Sequence, residues 1–272
     1  MNSLTFDQPS HSSAFLRCLS PESLRERVPA AFAPSAHESR SPGYTFIPSS
    51  KVIEGLNTVG FYPVDARQAA RARSALHARH VIRFRRRFEP STALGDVTPE
   101  LLFLNSHDGT SAYQLRVGLY RTVCTNGLVV SQGTFPTFRV AHRGDVVGDV
   151  VRAALEISER FEVLAASVEC MEKTSLDQLV RLDFAAQGLA LRFPGRTEYG
   201  LEPAQLLAPR RPEDVGNDVW RTLNTVQDAL IKGGVRRRSA SNRLVRTRRI
   251  TGIKEDLRIN SGLWDLALGL LH

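Results

Sequence analysis

The hydrophobic pattern of this chain changes period near Gly144, and that change limits the folds open to it. Before it, apolar and polar residues alternate. In HVIRFRRRF, residues 80–88, Ile82, Phe84 and Phe88 fall on one side and Arg83, Arg85 and Arg87 on the other. In YQLRVGLY, Tyr113, Leu115, Val117 and Leu119 share a side, with Gln114, Arg116, Gly118 and Tyr120 opposite. Successive side chains of a strand point to opposite faces, so each run reads as a strand with one buried face. Asp108-Gly109 and Asn126-Gly127 supply hairpin-turn chemistry. After Gly144 the apolar spacing is helical. DVVGDVVRAALEISERFEVLAASVECMEK predicts one long helix, and Ser175 with Gln178 fits a capping box for a second, running to about Leu191. A third helix over 213–231 stops at Gly233-Gly234, and NSGLWDLALGLL closes the chain as an apolar helix that docks back on the core. Strands followed by helices give an α+β fold, an antiparallel β-meander packed against long helices of the C-terminal half.

The first 43 residues are rich in Ser, Pro and Ala. Residues 1–35 read as a flexible arm with one short helix, capped by Ser20 ahead of Pro21. Residues 36–272 then form a single α+β domain, β-rich over 44–143 and helical over 144–272. Within it, Tyr44–Ile47 reads as a short strand, Ser49 or Ser50 caps a helix to about Asn57, and Gly60 reopens an extended run. A 42% hydrophobic content is enough to bury a core. No apolar run reaches the length of about 18 residues that a membrane helix needs. The N-terminus lacks the basic and apolar regions of a secretion signal. Cys18, Cys124 and Cys170 are far apart, which suggests neither a disulfide framework nor a zinc site. The expectation is a soluble, cytoplasmic protein with no membrane partner.

The charge is uneven. The net formal charge is +8, and the stretch Ile231 to Arg249 holds Lys232, Arg236, Arg237, Arg238, Arg243, Arg246, Arg248 and Arg249 without an acid. Outside residues 231–249 the basic and acidic residues balance, so this segment alone accounts for the excess. Such concentration points to a polyanionic partner, against the plainer alternative of a solvated connector. On the sheet, Arg83, Arg85 and Arg87 would sit about 6.6 Å apart, near the phosphate spacing of an extended strand. Arg116 and the stacking ring of Tyr120 would stand beside them, which is the chemistry of single-strand binding. The plainer reading is a sheet face kept soluble by charge. Arg67, Arg71, Arg73 and Arg79, with His77 and His80, make a further cationic group in a connecting loop or helix.

Motifs that would name a reaction are missing: there is no P-loop, dinucleotide fingerprint, zinc-protease helix or nucleophile elbow. His77 and His80 lie among arginines, a poor setting for a metal cation. Asp145, Asp149 and Glu156 could hold magnesium, but acids opening a helix more commonly serve its dipole. Cys124 is a lone candidate nucleophile with no histidine near it in sequence. No cofactor is implied, and no catalytic residue is assigned.

Five strings, AHESRSPGYTFIPSSKVIEGLNTVGFYPVDARQA, HVIRFRRR, YRTVCTNGLVV, WRTLNTVQDALIKGGVRRR and TGIKEDLRINSGLWDLA, resemble in collinear order the domain-of-unknown-function family number 932. The resemblance runs from about His37 to the C-terminal helix. It implies the setting of phages, prophages and plasmids, and so DNA replication, recombination or interference with host defence. A looser likeness is one of layout: a helix, a meander and a long helix resemble the core of Rad52-type annealing proteins, which anneal strands as oligomeric rings.

The function expected is therefore a non-enzymatic DNA-binding protein of a mobile element, preferring single strands, with strand annealing and self-association as extensions. Arg83, Arg85, Arg87 and Arg116 would contact phosphates and Tyr120 would stack on a base. Arg236, Arg237, Arg238, Arg243, Arg246, Arg248 and Arg249 would supply a second grip. The alternative is a protein-interaction or anti-defence factor whose basic segment binds an acidic host protein. A third reading is a nuclease or nucleotide-modifying enzyme whose acids converge only in three dimensions.

Overall fold

A computed structural model of the chain describes residues 18–39, 46–70, 72, 74–86, 97–108, 111, 113–121, 127–129, 137–140, 145–195, 200–239 and 241–271. The alternating runs form the expected antiparallel meander. β1 (Phe61–Gln68), β2 (His80–Arg86), β3 (Val97–Asn105) and β4 (Tyr113–Arg121) pair in sequence order. β5 (Gly127–Val129) and β6 (Phe138–Val140) share the other edge of β4. The register sets Ile82 beside Phe103 and Leu115, and Phe84 beside Leu101 and Val117. This face is fully buried. It belongs to the same core as α2 (Ser49–Thr58) and α3 (Val146–Ser158), which supply Val52, Leu56, Val150 and Ile157. The fold is α+β, with most of its helices in the C-terminal half.

Several boundaries correct the sequence reading. Residues 18–35 are not a loose arm: α1 (Pro21–Arg27) is capped by Ser20 as expected, and Leu24, Val28, Ala30 and Ala31 enter the core. Phe46 and Ile47 are irregular rather than strand, and the rest of that stretch lies outside the described residues. The long helix is broken. α3 ends at Ser158, the N–H of Arg160 turns back to the Ile157 carbonyl, and α4 (Phe161–Lys173) restarts. The break lets α3 pack with α2 while α4 packs on α6 (Val219–Lys232). The capping box at Ser175 does not form. Ser175 bridges to Asp218, and Asp177 caps α5 (Gln178–Arg192) by accepting from Val180 N at 2.9 Å. α6 begins at Val219 rather than 213: Pro212–Asp214 forms a separate 3-10 turn, and Asp218 caps α6 by accepting from Arg221 N at 2.8 Å. α7 (Ile253–Leu268) starts earlier than its apolar C-terminal half suggests.

α7 crosses to the second face of the sheet. Ile253 and Leu257 pack on Val81, Leu102 and Leu104, and Asp256 pairs with Arg67 of β1. Further along, Leu263 and Trp264 join the main core. Buried ions tie sheet and helices together at another point. Asp214 holds Arg121, at the end of β4, and Arg211, while Asp228 of α6 holds Arg210, Arg211 and Lys232.

Between α2 and the meander lies a buried polar knot. Ser49 Oγ is 2.9 Å from His80 Nε2 and accepts from Asn105 Nδ2 at 3.0 Å, while His80 Nδ1 is 3.0 Å from the Ala78 carbonyl. Burial pushes the His80 imidazole down to about 4, against the Ala78 hydrogen bond, which favours the charged form. A neutral ring is thus built into the folded state. Above pH about 6.5 both states hold the ring neutral and its contribution is complete. As pH falls from there toward 4 the unfolded chain takes the proton first, so stability falls by about 3 kcal/mol. A His80→Gln variant should flatten this part of the stability–pH curve, measured by urea titration at pH 7.5 and 4.5.

Candidate nucleic-acid interface

The second face of the sheet is where the charged strand residues emerge, and α7 covers only part of it. Beside the covered patch, a cleft of about 700 Å³ opens between the sheet, α7 and the end of α5. Arg79, Arg116, Arg139, Lys254 and Arg258 line it, against one carboxylate, Asp265. Leu104, Leu191 and Leu257 give it an apolar wall. β4 and β6 set the floor: Gln114 pairs with Arg139 in register, which places Arg116 diagonally across on the same face. Lys254, Arg258 and Asp265 recur at helical spacing along one side of α7.

These cations differ in how they are held. Arg258 pairs with Glu255 at 2.9 Å and donates to the Leu191 carbonyl at 2.7 Å, which ties α7 to α5. Arg116 is half-buried and has no carboxylate partner among the described residues. Its Nη2 donates to Gln114 Oε1 at 3.3 Å, and its buried Nε has no hydrogen-bond partner among those residues. Burial, and then the charge of Arg139, pull the Arg116 guanidinium below its usual range. Arg139 and Lys254 are exposed, and no described carboxylate pairs with either.

The predicted sheet stripe is not open. Glu100 of β3, 1% exposed, takes Arg83 at 2.6 Å and Arg85 at 2.7 Å, so two cations share one buried anion. Arg83 is itself 8% exposed. The Arg85 guanidinium lies 3.9 Å from the Tyr120 ring centre, occupying a face that was expected to stack on a base. Arg87 lies outside the described residues. Of the predicted sheet residues whose side chains are described, Arg116 lines the cleft and Arg83, Arg85 and Tyr120 do not. Sequence reading missed Arg139, Lys254 and Arg258, and it placed Arg79 in a different cluster. The spacing of Lys254 and Arg258, four apart on a helix, was a usable signal.

The basic segment folds as a two-stranded antiparallel ribbon, β7 (Arg236–Arg238) with β8 (Leu244–Arg246). Pairing of Arg236 with Arg246 and Arg238 with Leu244 puts these four exposed side chains on one face. Arg237, half-buried, lies on the other. Arg243, Arg248 and Arg249 are exposed at its turn and its root. Gly233 sits at φ 68, where a Cβ would come within 2.6 Å of the Arg248 carbonyl carbon, so glycine is needed for the chain to leave α6. No ribbon residue lines the cleft.

The other candidates resolve into structural roles. Asp145 caps α3, accepting from Gly148 N at 3.0 Å, while Asp149 pairs with Arg152 and Glu156 with Arg160. His77 Nδ1 lies 2.8 Å from Ser74 Oγ and its Nε2 3.1 Å from the Ser35 carbonyl. Cys18 and Cys170 are exposed free thiols, whereas Arg71, Arg73 and Cys124 lie outside the described residues.

A family model described as a domain of unknown function, DUF932, matches residues 36–260. The chain belongs to the DUF932 family. Two Escherichia coli K12 proteins, the UPF0380 proteins YfjQ and YafZ, are each 38% identical to it. Their alignments cover 94% of this chain and 92% of each relative. The family match spans the sheet, the cleft-lining part of α7 to Asn260 and the whole ribbon. No solved structure matches, and no comparison supports the layout likeness to Rad52-type proteins. No helix among the described residues is long and apolar enough to cross a membrane.

Proposed function

We propose that this protein binds nucleic acid without catalysing a reaction on it, as a cytoplasmic accessory of a mobile element, and that it prefers single strands. The observation carrying this reading is the cleft, where Arg116, Arg139 and Lys254 converge with no carboxylate paired to them among the described residues. Like charges are not gathered in a partly dry site without a counter-charge, and a strand's phosphates supply one. The opening has small-molecule dimensions, which suit a nucleotide or two of an unpaired strand rather than a duplex. Bases would lie on aliphatic walls rather than aromatic rings, which favours weak sequence preference. The ribbon, with Arg236, Arg238 and Arg246 on one exposed face, supplies the second grip.

Arg139→Ala and Lys254→Ala test the cleft. Each should weaken binding of oligonucleotides of any sequence and lower the salt slope by about one, without moving the thermal midpoint. Unchanged affinity in the double variant would remove the cleft from this reading. A second reading, in which the ribbon docks on an acidic protein, draws on Leu244, 66% exposed beside the arginines. Leu244→Ser would then weaken capture of the partner while leaving oligonucleotide affinity unchanged.

A further inference from the structure

The cleft and the ribbon present their charge differently. Arg236, Arg238 and Arg246 of the ribbon stand in solvent, where each meets a single phosphodiester charge as well as another. In the cleft, Arg116 is half-buried beside Arg139, and neither has a carboxylate among the described residues. Two guanidiniums side by side on one sheet face repel each other, and the partial burial of Arg116 weakens its screening by water. A ligand group with one negative charge balances only one of them. A phosphate monoester carries about −1.5 to −2 near pH 7 and has three acceptor oxygens, enough for two guanidinium forks. Lys254 adds a compact point charge from the facing helix, and Leu104 and Leu257 offer an apolar surface to a base or sugar.

We infer that the cleft is a site for the phosphate monoester of a nucleotide, with Arg116 and Arg139 holding the phosphate and Lys254 closing over it. The occupant rests on the nucleic-acid reading, since the same chemistry is offered by the phosphorylated end of a strand or by a free nucleotide. Arg258 is already engaged by Glu255 and the Leu191 carbonyl, so it shapes the cleft wall more than it supplies free charge.

Fluorescence anisotropy with short thymidylate oligonucleotides, matched except for a phosphate or a hydroxyl at the unlabelled end, tests this. The phosphorylated end should bind about tenfold tighter or more. Arg139→Ala should bring the two ends within about twofold of each other, a charge-assisted contact being the difference removed. Arg116→Met should do the same, and the exposed Arg139 keeps the test usable should that variant fold poorly. Calorimetry with thymidine monophosphate against thymidine identifies the source. Strong binding of the free monophosphate, lost in Arg139→Ala, supports a nucleotide site, whereas preference confined to oligonucleotides supports a strand end. Equal binding of phosphorylated and hydroxyl ends, with no binding of the monophosphate, overturns the inference and leaves the nucleic-acid reading standing. Monophosphate binding without retention of any oligonucleotide keeps the inference and overturns that reading.

Discussion

Glu100→Gln should lower stability by about 3–5 kcal/mol and, in the protein that remains folded, strengthen its binding to polyanions. Among the described residues, Glu100 is the carboxylate that Arg83 and Arg85 share, and their side chains are 10% and 14% exposed. Its removal leaves two nearly dry guanidiniums with no counter-charge from that position. Amide nitrogen in place of one oxygen also turns an acceptor into a donor that faces donors. The loss should appear as a lower urea midpoint with an unchanged slope. Anisotropy below that midpoint should show tighter binding and a steeper salt dependence, because one anion has left the face that carries Arg116. A stability change under about 1 kcal/mol would mean that water reaches Arg83 and Arg85 as well as Glu100 does.

Asp228→Asn should cost about 3 kcal/mol and loosen the root of the ribbon. The carboxylate is 3% exposed and meets Arg210, Arg211 and Lys232. Arg211 is 17% exposed and has little access to water, while Arg210 and Lys232, at 37% and 39%, recover part of their solvation. The expected loss therefore stands at the lower end of the range for a broken buried pair. Arg210 also donates to the Gly233 carbonyl at 2.7 Å, where the chain leaves α6 for the ribbon. Freed of Asp228, this arginine no longer fixes that turn, so amides over 234–247 should exchange faster relative to those of α6. Equal acceleration across both would make Asp228 a general stabiliser with no particular hold on the ribbon.

Period made the fold legible, whereas the predicted turns at Asp108-Gly109 and Asn126-Gly127 include residues outside those described. Ile82, Phe84, Leu115 and Val117 alternate because one sheet face is buried, and each lands where its spacing places it. The break at Glu159–Arg160 was not legible. The apolar spacing continues through it, and the reason for breaking lies in what α3 and α4 pack against, which is set far away in sequence. The cap expected at Ser175 failed in a related way, since Ser175 is drawn into a bridge with Asp218, leaving Asp177 to cap α5.

The candidate site was legible in charge and not in pairing. Alternation correctly put Arg83 and Arg85 on the face opposite the core. It could not show that Glu100, on the neighbouring strand, sits between them and neutralises one charge. That depends on the β2–β3 register across a long connection. Arg139 could not be linked to Arg116 for the same reason: β6 returns to β4 only after β5 has used another part of its edge. Lys254 and Arg258 were on one helical face from the start. What they face depends on α7 crossing the sheet at Ile253 and Leu257, a tertiary choice.

The most direct test of nucleic-acid binding is anisotropy of labelled single- and double-stranded oligonucleotides against the full chain across a salt series. The cleft and ribbon together require tighter binding of the single strand, with log affinity falling steeply and linearly as log salt rises. Weak binding of both at low salt, with no salt slope, would contradict the account and leave Arg116, Arg139 and Lys254 of the cleft facing some other anion.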